Sequence, residues 1–257
     1  MEIKKKYITL RTIADKEVKR VLRLWPQTLL PSAITMALYF LIFGQFIGSQ
    51  VSDIGGFSYM EFIVSGIVMM AVITNSFTNV VSTFFMAKFV KSLEEILVSP
   101  TPNWVIIVGY SIGGIFRGLL VGIIVILIAL FFTSLQIHNI FIIIAFILLV
   151  ATVFSLGGLL NAVFAKKFEQ TALFPIFILT PLTFLGGVFY SISMLPVFWQ
   201  KLSLLNPILY MVNGFRYGFL GISDVNVWIG FSMLVLLVAG LFYLNLYLLK
   251  KGIGLKT

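Results

Sequence analysis

Six separate stretches of this sequence are predominantly apolar for about 20 residues or more, the length a helix needs to cross a hydrocarbon core ~30 Å thick. They run approximately over 27–48, 59–86, 104–132, 140–164, 171–191 and 227–249. In lipid the backbone must satisfy its own N–H and C=O groups, so such stretches are expected to fold as helices and bundle. The chain is 60% hydrophobic and only 11% charged, which leaves little for a soluble domain. The expected fold class is therefore an all-α membrane protein with six transmembrane helices.

The positive charges set its direction. With both termini inside, fifteen of the 18 Lys and Arg residues fall in cytoplasmic segments, among them Lys4, Lys5, Lys6, Lys88, Lys91, Lys166, Lys167, Lys250, Lys251 and Lys256. Lys201 and Arg216 fall outside and Arg117 within a span, so the positive-inside rule predicts N-in, C-in. Before the first span, Leu10, Ala14, Val18, Val21, Leu22 and Trp25 recur at helical spacing with the basic residues largely elsewhere. That pattern predicts an amphipathic interfacial helix on the cytoplasmic membrane surface, and the competing reading is a plain basic flank. The N-terminus has no apolar core of signal-peptide length before Trp25 and is expected to remain in the mature chain.

Within segment 193–226, "PILYMVNGFRYGFL" is apolar but, with 13 residues after Pro207, too short for a seventh span, and a seventh crossing would send Lys250, Lys251 and Lys256 outside. The segment reads as a re-entrant outer helical hairpin between spans 5 and 6, turning at Asn206-Pro207. The whole chain, 1–257, reads as one membrane domain. It comprises an interfacial helix over 1–26, spans 1–5 over 27–192 with a charged loop at 87–103, the hairpin at 193–226, span 6 at 227–249 and a cytoplasmic tail at 250–257.

Reactive chemistry is sparse. The absence of cysteine excludes disulfides within the chain, thiolate metal sites and cysteine nucleophiles. His138 is the only histidine, so HExxH metal sites and serine–histidine catalysis lack their parts, and a membrane enzyme ranks last. No basic, aromatic nucleic-acid surface is evident, and the partner expected from composition is membrane lipid. No G-x-x-x-x-G-K-[ST] motif occurs, so any ATP that energises the chain must be bound by another polypeptide.

Inside the membrane the ionisable inventory is nearly limited to Arg117. A mid-bilayer charge costs about 2.5 kcal/mol or more unless paired, so Arg117 should face protein. Around it Gly109, Gly113, Gly114, Gly118 and Gly122 predict close helix contact. Asn75, Asn79 and Ser82, at i, i+4 and i+7 of the second span, form a polar stripe that either satisfies this arginine, lines a translocation path or simply joins helices. Pro175, Pro181 and Gly186-Gly187 predict a bend in the fifth span.

Three stretches resemble the ABC-2 type transporter permeases. "KSLEEILVSPTP" resembles that family's cytoplasmic loop, "FLGGVFYSISMLPVFWQKLSLLNPILYMVNGFRYGFLG" its outer segment, and "RLWPQTLLPSAITMALYFLIFG" the start of its first span. The resemblance covers nearly the whole chain, within a subgroup of bacterial inner-membrane permeases. It implies a homodimeric permease of an exporter for an amphiphilic, lipid, glycan or drug-like substrate, paired with two copies of a separate ABC ATPase that binds ATP and Mg. It also implies that loop 87–103 is a coupling helix docked on the ATPase. Glu94, Leu97, Ser99 and Pro100 match the loop motif, with Lys88, Lys91 and Glu95 completing the charged island. Gly186, Gly187, Leu195, Pro196, Asn206, Pro207 and Arg216 match an outer gate. The alternative is a stand-alone secondary transporter or channel in which Arg117 or Glu61 controls charge.

Overall fold

The computed structural model of the protein describes residues 2–254; residues 255–257, including Lys256 of the expected tail, lie outside the described residues. Among the described residues the chain is helical with no strand. Helix α1 spans Glu2–Arg23 and α2, a composite helix, Trp25–Gln50. There follow α3 (Tyr59–Phe89), α4 (Ser92–Val98), α5 (Asn103–Ala129) and α6 (Ile140–Phe164). The last four are α7 (Gln170–Phe184), α8 (Val197–Ser203), α9 (Pro207–Leu220) and α10 (Val227–Lys251).

Among the described residues five helices, α2, α3, α5, α6 and α10, are long and apolar enough to cross a membrane. Their ends fall close to the apolar stretches. The fifth stretch differs: α7 is shorter than expected and falls below that length. Pro175 has no amide hydrogen to donate, and from there the backbone widens into a π-helix over Pro175–Leu179. The helix then stops at Phe184, and Gly187 turns the chain away with φ of 71°.

Helix α3 is the axis of the bundle, with α5 and α6 packed along it and side chains such as Ile63, Ile67, Phe77 and Phe84 fully buried. Its first turn is a capping box in which Ser58 accepts from the Glu61 amide while the Glu61 carboxylate accepts the Ser58 N–H at 2.9 Å. Close packing depends on the glycines of α5. A Cβ on Gly114 would collide with Ser155 Oγ and come within 2.8 Å of the Ser76 carbonyl, and one on Gly118 would collide with Ser76 Oγ. The same helix presents Gly109 to Ile13 and Gly113 to Glu17 of α1. We expect Gly114→Val to lower stability by about 3 kcal/mol, the upper range for overpacking, because backbone blocks one side of the new side chain. A thermal midpoint in detergent within a degree of wild type would remove this contact from the fold's determinants.

Helix α1 forms as expected, and its inward face overlaps the expected stripe at Val21, with Leu10, Ala14 and Val18 half-buried beside it, but is centred on Ile13 and Glu17. Ile13, Glu17 and Val21 are buried while Leu22 and Trp25 are exposed, so α1 packs against α5 rather than resting on lipid alone. The basic residues Lys88, Lys166, Lys167, Lys250 and Lys251 gather at one end of the bundle, hereafter the basic end; α8 and α9 close the opposite end. There the loop before α6 pairs with α9, His138 N and Asn139 N donating to the Phe219 and Gly218 carbonyls at 3.1 and 2.8 Å.

Candidate functional site

At the basic end α3 runs directly into α4 through Lys91, whose φ of 60° makes it the one non-glycine residue in the left-handed region among the described residues. That turn reverses the chain and lets a short amphipathic helix form. Leu93 is buried, with Ile96 and Leu97 packed behind it. Glu94 and Glu95 are exposed, and Val98 is 88% exposed beside them. Ser99 closes the helix, its amide donating to the Glu95 carbonyl at 3.3 Å and its hydroxyl to that of Ile96 at 2.6 Å, before Pro100 ends the segment. The expected charged island thus divides into an anchored apolar side and a displayed face of two carboxylates and one valine.

Lys88 does not share that display. It is only 4% exposed, and its ammonium donates to the carbonyls of Ala162, Val163 and Ala165 at 3.1, 3.0 and 2.6 Å and to Gly254 at 3.1 Å. The first three are carbonyls that the end of α6 leaves without intrahelical partners. A cation at a helix C-terminus also meets the negative end of its dipole. Grouping Lys88 with the surface charges is therefore corrected: it clamps the end of α3 to the end of α6 and to the C-terminal segment.

Asn75 and Asn79 of the α3 stripe are likewise buried, and Ser82 is half-buried. Asn75 Oδ1 accepts from Ser32 Oγ of α2 at 3.1 Å, and Asn79 Oδ1 accepts from Arg20 Nη2 of α1 at 3.0 Å. Ser82 bonds within its own helix, to the Thr78 carbonyl at 2.7 Å. Arg117 does not meet the stripe; its Nη2 donates to the Thr28 carbonyl at 3.1 Å. These bonds join α3 to α2 and to α1. The arginine that meets the Asn75/Asn79 stripe is Arg20, which the sequence assigned to a polar surface. Glu61, held in its capping box, is occupied as well.

Beside Arg20 lies Glu17, 2% exposed, with its carboxylate 3.2 Å from the guanidinium. Burial pushes the Glu17 carboxyl above the usual carboxylate range, against the pull of the Arg20 and Lys16 charges. A raised carboxyl pKa means the folded state binds its proton more tightly than the unfolded chain. The associated stability is fully present at acid pH and is lost as pH rises from the ordinary glutamate range through the raised value. Glu17→Gln, uncharged throughout, should flatten that part of the dependence of thermal midpoint on pH; an unchanged slope would show that another group sets it.

At the opposite end Arg216 is 1% exposed and fans into three elements. Nε donates to Ser65 Oγ of α3 at 3.2 Å, Nη2 donates to the Gly187 carbonyl at 2.6 Å, and the guanidinium carbon sits 3.7 Å from the Phe62 ring centroid. Nη1 stands 4.0 Å from Asp224 Oδ2. Asn206 caps α9 by accepting the Ile208 N–H at 3.0 Å, and its amide donates to the Leu182 carbonyl at 2.7 Å. Gly186 lies against Ile208 and Gly187 against Leu209, so Gly186, Gly187, Asn206 and Arg216 share one packed corner; Leu195 accepts from Gln200 at 2.8 Å and Pro196 is exposed ahead of α8, apart from that corner. Sequence reasoning missed Asp224, whose Oδ1 accepts from Ser191 Oγ at 2.5 Å, and Asn213, whose Oδ1 accepts the Asp224 N–H at 2.8 Å. A lone acidic residue eight positions beyond Arg216 was the only signal available.

A model of the ABC-2 type transporter family matches residues 9–220. The chain is 53% identical over 251 residues to the "Inner membrane transport permease YadH" of Escherichia coli (strain K12), covering 98% of each. It is 24% identical over 216 residues to the "Nodulation protein J" of Sinorhizobium fredii (strain NBRC 101917 / NGR234), covering 84% of this chain and 82% of that one.

Proposed function

The chain belongs to the ABC-2 type transporter family and is a multi-pass transport permease of the inner membrane, and from that premise we propose that two copies form the path of an exporter driven by two copies of a separate ABC ATPase. The observation that carries this reading is α4, a short helix anchored through Leu93 whose free face shows Glu94, Glu95 and Val98. A permease without a P-loop needs a place where an ATPase applies force, and ATP and Mg belong to that partner. Because α3 leads straight into α4 and Lys88 ties α3 to α6 and the C-terminal segment, a displacement of α4 reaches two further elements at once.

In this reading α7 completes six crossings despite its length, both termini and the basic end are cytoplasmic, and α8 and α9 form a re-entrant outer hairpin. The exposed apolar faces of α2 (Ile34, Leu38, Phe46) and α7 (Phe177, Ile178) suit a second protomer. The substrate class is an amphiphile, lipid, glycan or drug-like molecule moving between protomers, with the corner around Arg216 closing the outer side.

Glu94→Lys with Glu95→Lys tests the coupling face. Both residues are exposed, so the thermal midpoint should stay within about 0.5 kcal/mol of wild type in stability terms. Co-purification with the ABC ATPase should fall by tenfold or more, as expected when two charges reverse across a close interface. Unchanged association together with unchanged transport would remove α4 from the mechanism.

A further inference from the structure

A cavity of about 790 Å³ opens between the start of α6, the end of α9 and the start of α10. Its walls are aromatic: Phe141 and Phe146 from α6, Tyr217 from α9, and Trp228 and Phe231 from α10. The space exists because Ala145 stands between large neighbours on α6, and because Gly218 lets α9 approach the α6 backbone, where a Cβ would come within 3.1 Å of the Ile143 amide nitrogen. Size and lining are those of a small-molecule site, mostly apolar with a few polar groups.

Two observations identify the occupant. The flanking residues Phe141 and Trp228 are 80% and 73% exposed on helices long and apolar enough to cross the membrane, so the mouth carries an apolar rim of the kind that suits lipid. At one end of the cavity stand Asn139 and Asn226, each with its oxygen already committed. Asn139 Oδ1 accepts the Phe141 and Ile142 amides at 3.1 and 3.3 Å, and Asn226 Oδ1 accepts the Trp228 amide at 2.9 Å. Each cap leaves its NH₂ as the group free to meet a ligand, so this end offers donors and suits a head rich in acceptor oxygens. Both residues are the N-caps of helices long and apolar enough to cross a membrane, and the ends of such helices are where hydrocarbon gives way to ester and phosphate oxygens.

We propose that this cleft holds one acyl chain of a resident glycerophospholipid, with the ester and phosphate oxygens of its head at Asn139 and Asn226. The chain fills the space beside Ala145 and braces the end of α9, where Tyr217 adjoins Arg216. The cleft shares no lining residue with α4 or with the exposed faces of α2 and α7; its placement in the outer leaflet rests on the proposed topology.

The test uses the purified full chain with Trp25, Trp104 and Trp199 replaced by phenylalanine, leaving Trp228 as the reporter. It is reconstituted into phosphatidylcholine vesicles containing increasing fractions of phosphatidylglycerol brominated on its acyl chains. A resident site predicts a saturable quenching phase at low mole fraction on top of the linear quenching by surrounding lipid. Ala145→Phe, which fills the cleft, should abolish the saturable phase, while Ile144→Phe, on the neighbouring lipid-facing position, should retain it. Asn226→Asp keeps the capping oxygen, removes the donor and should weaken the saturable phase by about tenfold, roughly 1.4 kcal/mol. Quenching that follows mole fraction linearly in the wild-type background, or a saturable phase that survives Ala145→Phe, overturns the proposal. Because no ATPase is present, failure here is distinct from failure of the exporter reading.

Discussion

Replacing Lys88 with methionine is expected to lower the thermal midpoint of the purified protein by on the order of 10 °C, more than any other single change at the basic end. The side chain is buried and its ammonium serves four carbonyl groups at once. Methionine nearly fills the same volume, so packing is preserved and what is lost is the donor. An acceptor left buried without a partner costs about 1–3 kcal/mol, and relaxation of the end of α6 will not restore three donors. A total on the order of 3 kcal/mol follows, even if one carbonyl turns to water. The contrast is Lys91→Met three residues on: Lys91 is exposed, and this change should leave stability within about 0.5 kcal/mol of wild type. Thermal unfolding of both variants in one detergent reads the difference directly, and equal midpoints would mean that the clamp carries no weight. If Lys88→Met retains enough folded protein for assembly, the proposed coupling through Glu94 and Glu95 predicts that it still associates with an ABC ATPase while transport per ATP hydrolysed falls.

Lys88 also marks the boundary of what the sequence reveals. Its position at the end of a span reads equally well as a flanking positive charge, because the pattern behind the positive-inside rule is local. Its carbonyl partners, 74 or more residues away, are not. The same division recurs along the chain. Apolar length located five membrane-length helices, proline and glycine foretold that α7 would distort, and "KSLEEILVSPTP" was legible as a family resemblance that implies a short helix. The pairing of Asn79 with Arg20, in place of Arg117, was not legible. Periodicity assigns residues to faces of one helix and says nothing about which neighbour each face meets. Glu17 was hidden for a related reason: its helix carries two apolar-looking faces, and only packing against Gly109 and Gly113 decides between them.

At the opposite end Arg216→Met is expected to release the segment after α7 from α3 without unfolding the bundle. Arg216 is the one side chain that contacts Ser65 and Phe62 of α3, the Gly187 carbonyl and, at 4.0 Å, Asp224. Removing one member of a buried charged network costs about 3–5 kcal/mol, and here the loss falls on a short segment whose remaining ties are few. One is the Tyr59 hydroxyl on the Phe189 carbonyl at 3.0 Å; another is the seat of Val188 against Gly66. Since the chain has no cysteine, Val188→Cys provides a single thiol at a fully buried position. Its labelling by a water-soluble maleimide reports opening of this corner. A loss of about 3 kcal/mol corresponds to an increase of on the order of 100-fold in the open population, and labelling should accelerate by that factor if reclosure is faster than the reaction. Arg216→Lys retains the charge but only one of the fixed directions of the guanidinium, so its labelling should fall between the two. Equal rates in wild-type and methionine backgrounds would mean that Gly66 and Tyr59 hold the corner unaided, and the closing role would pass from Arg216 to them.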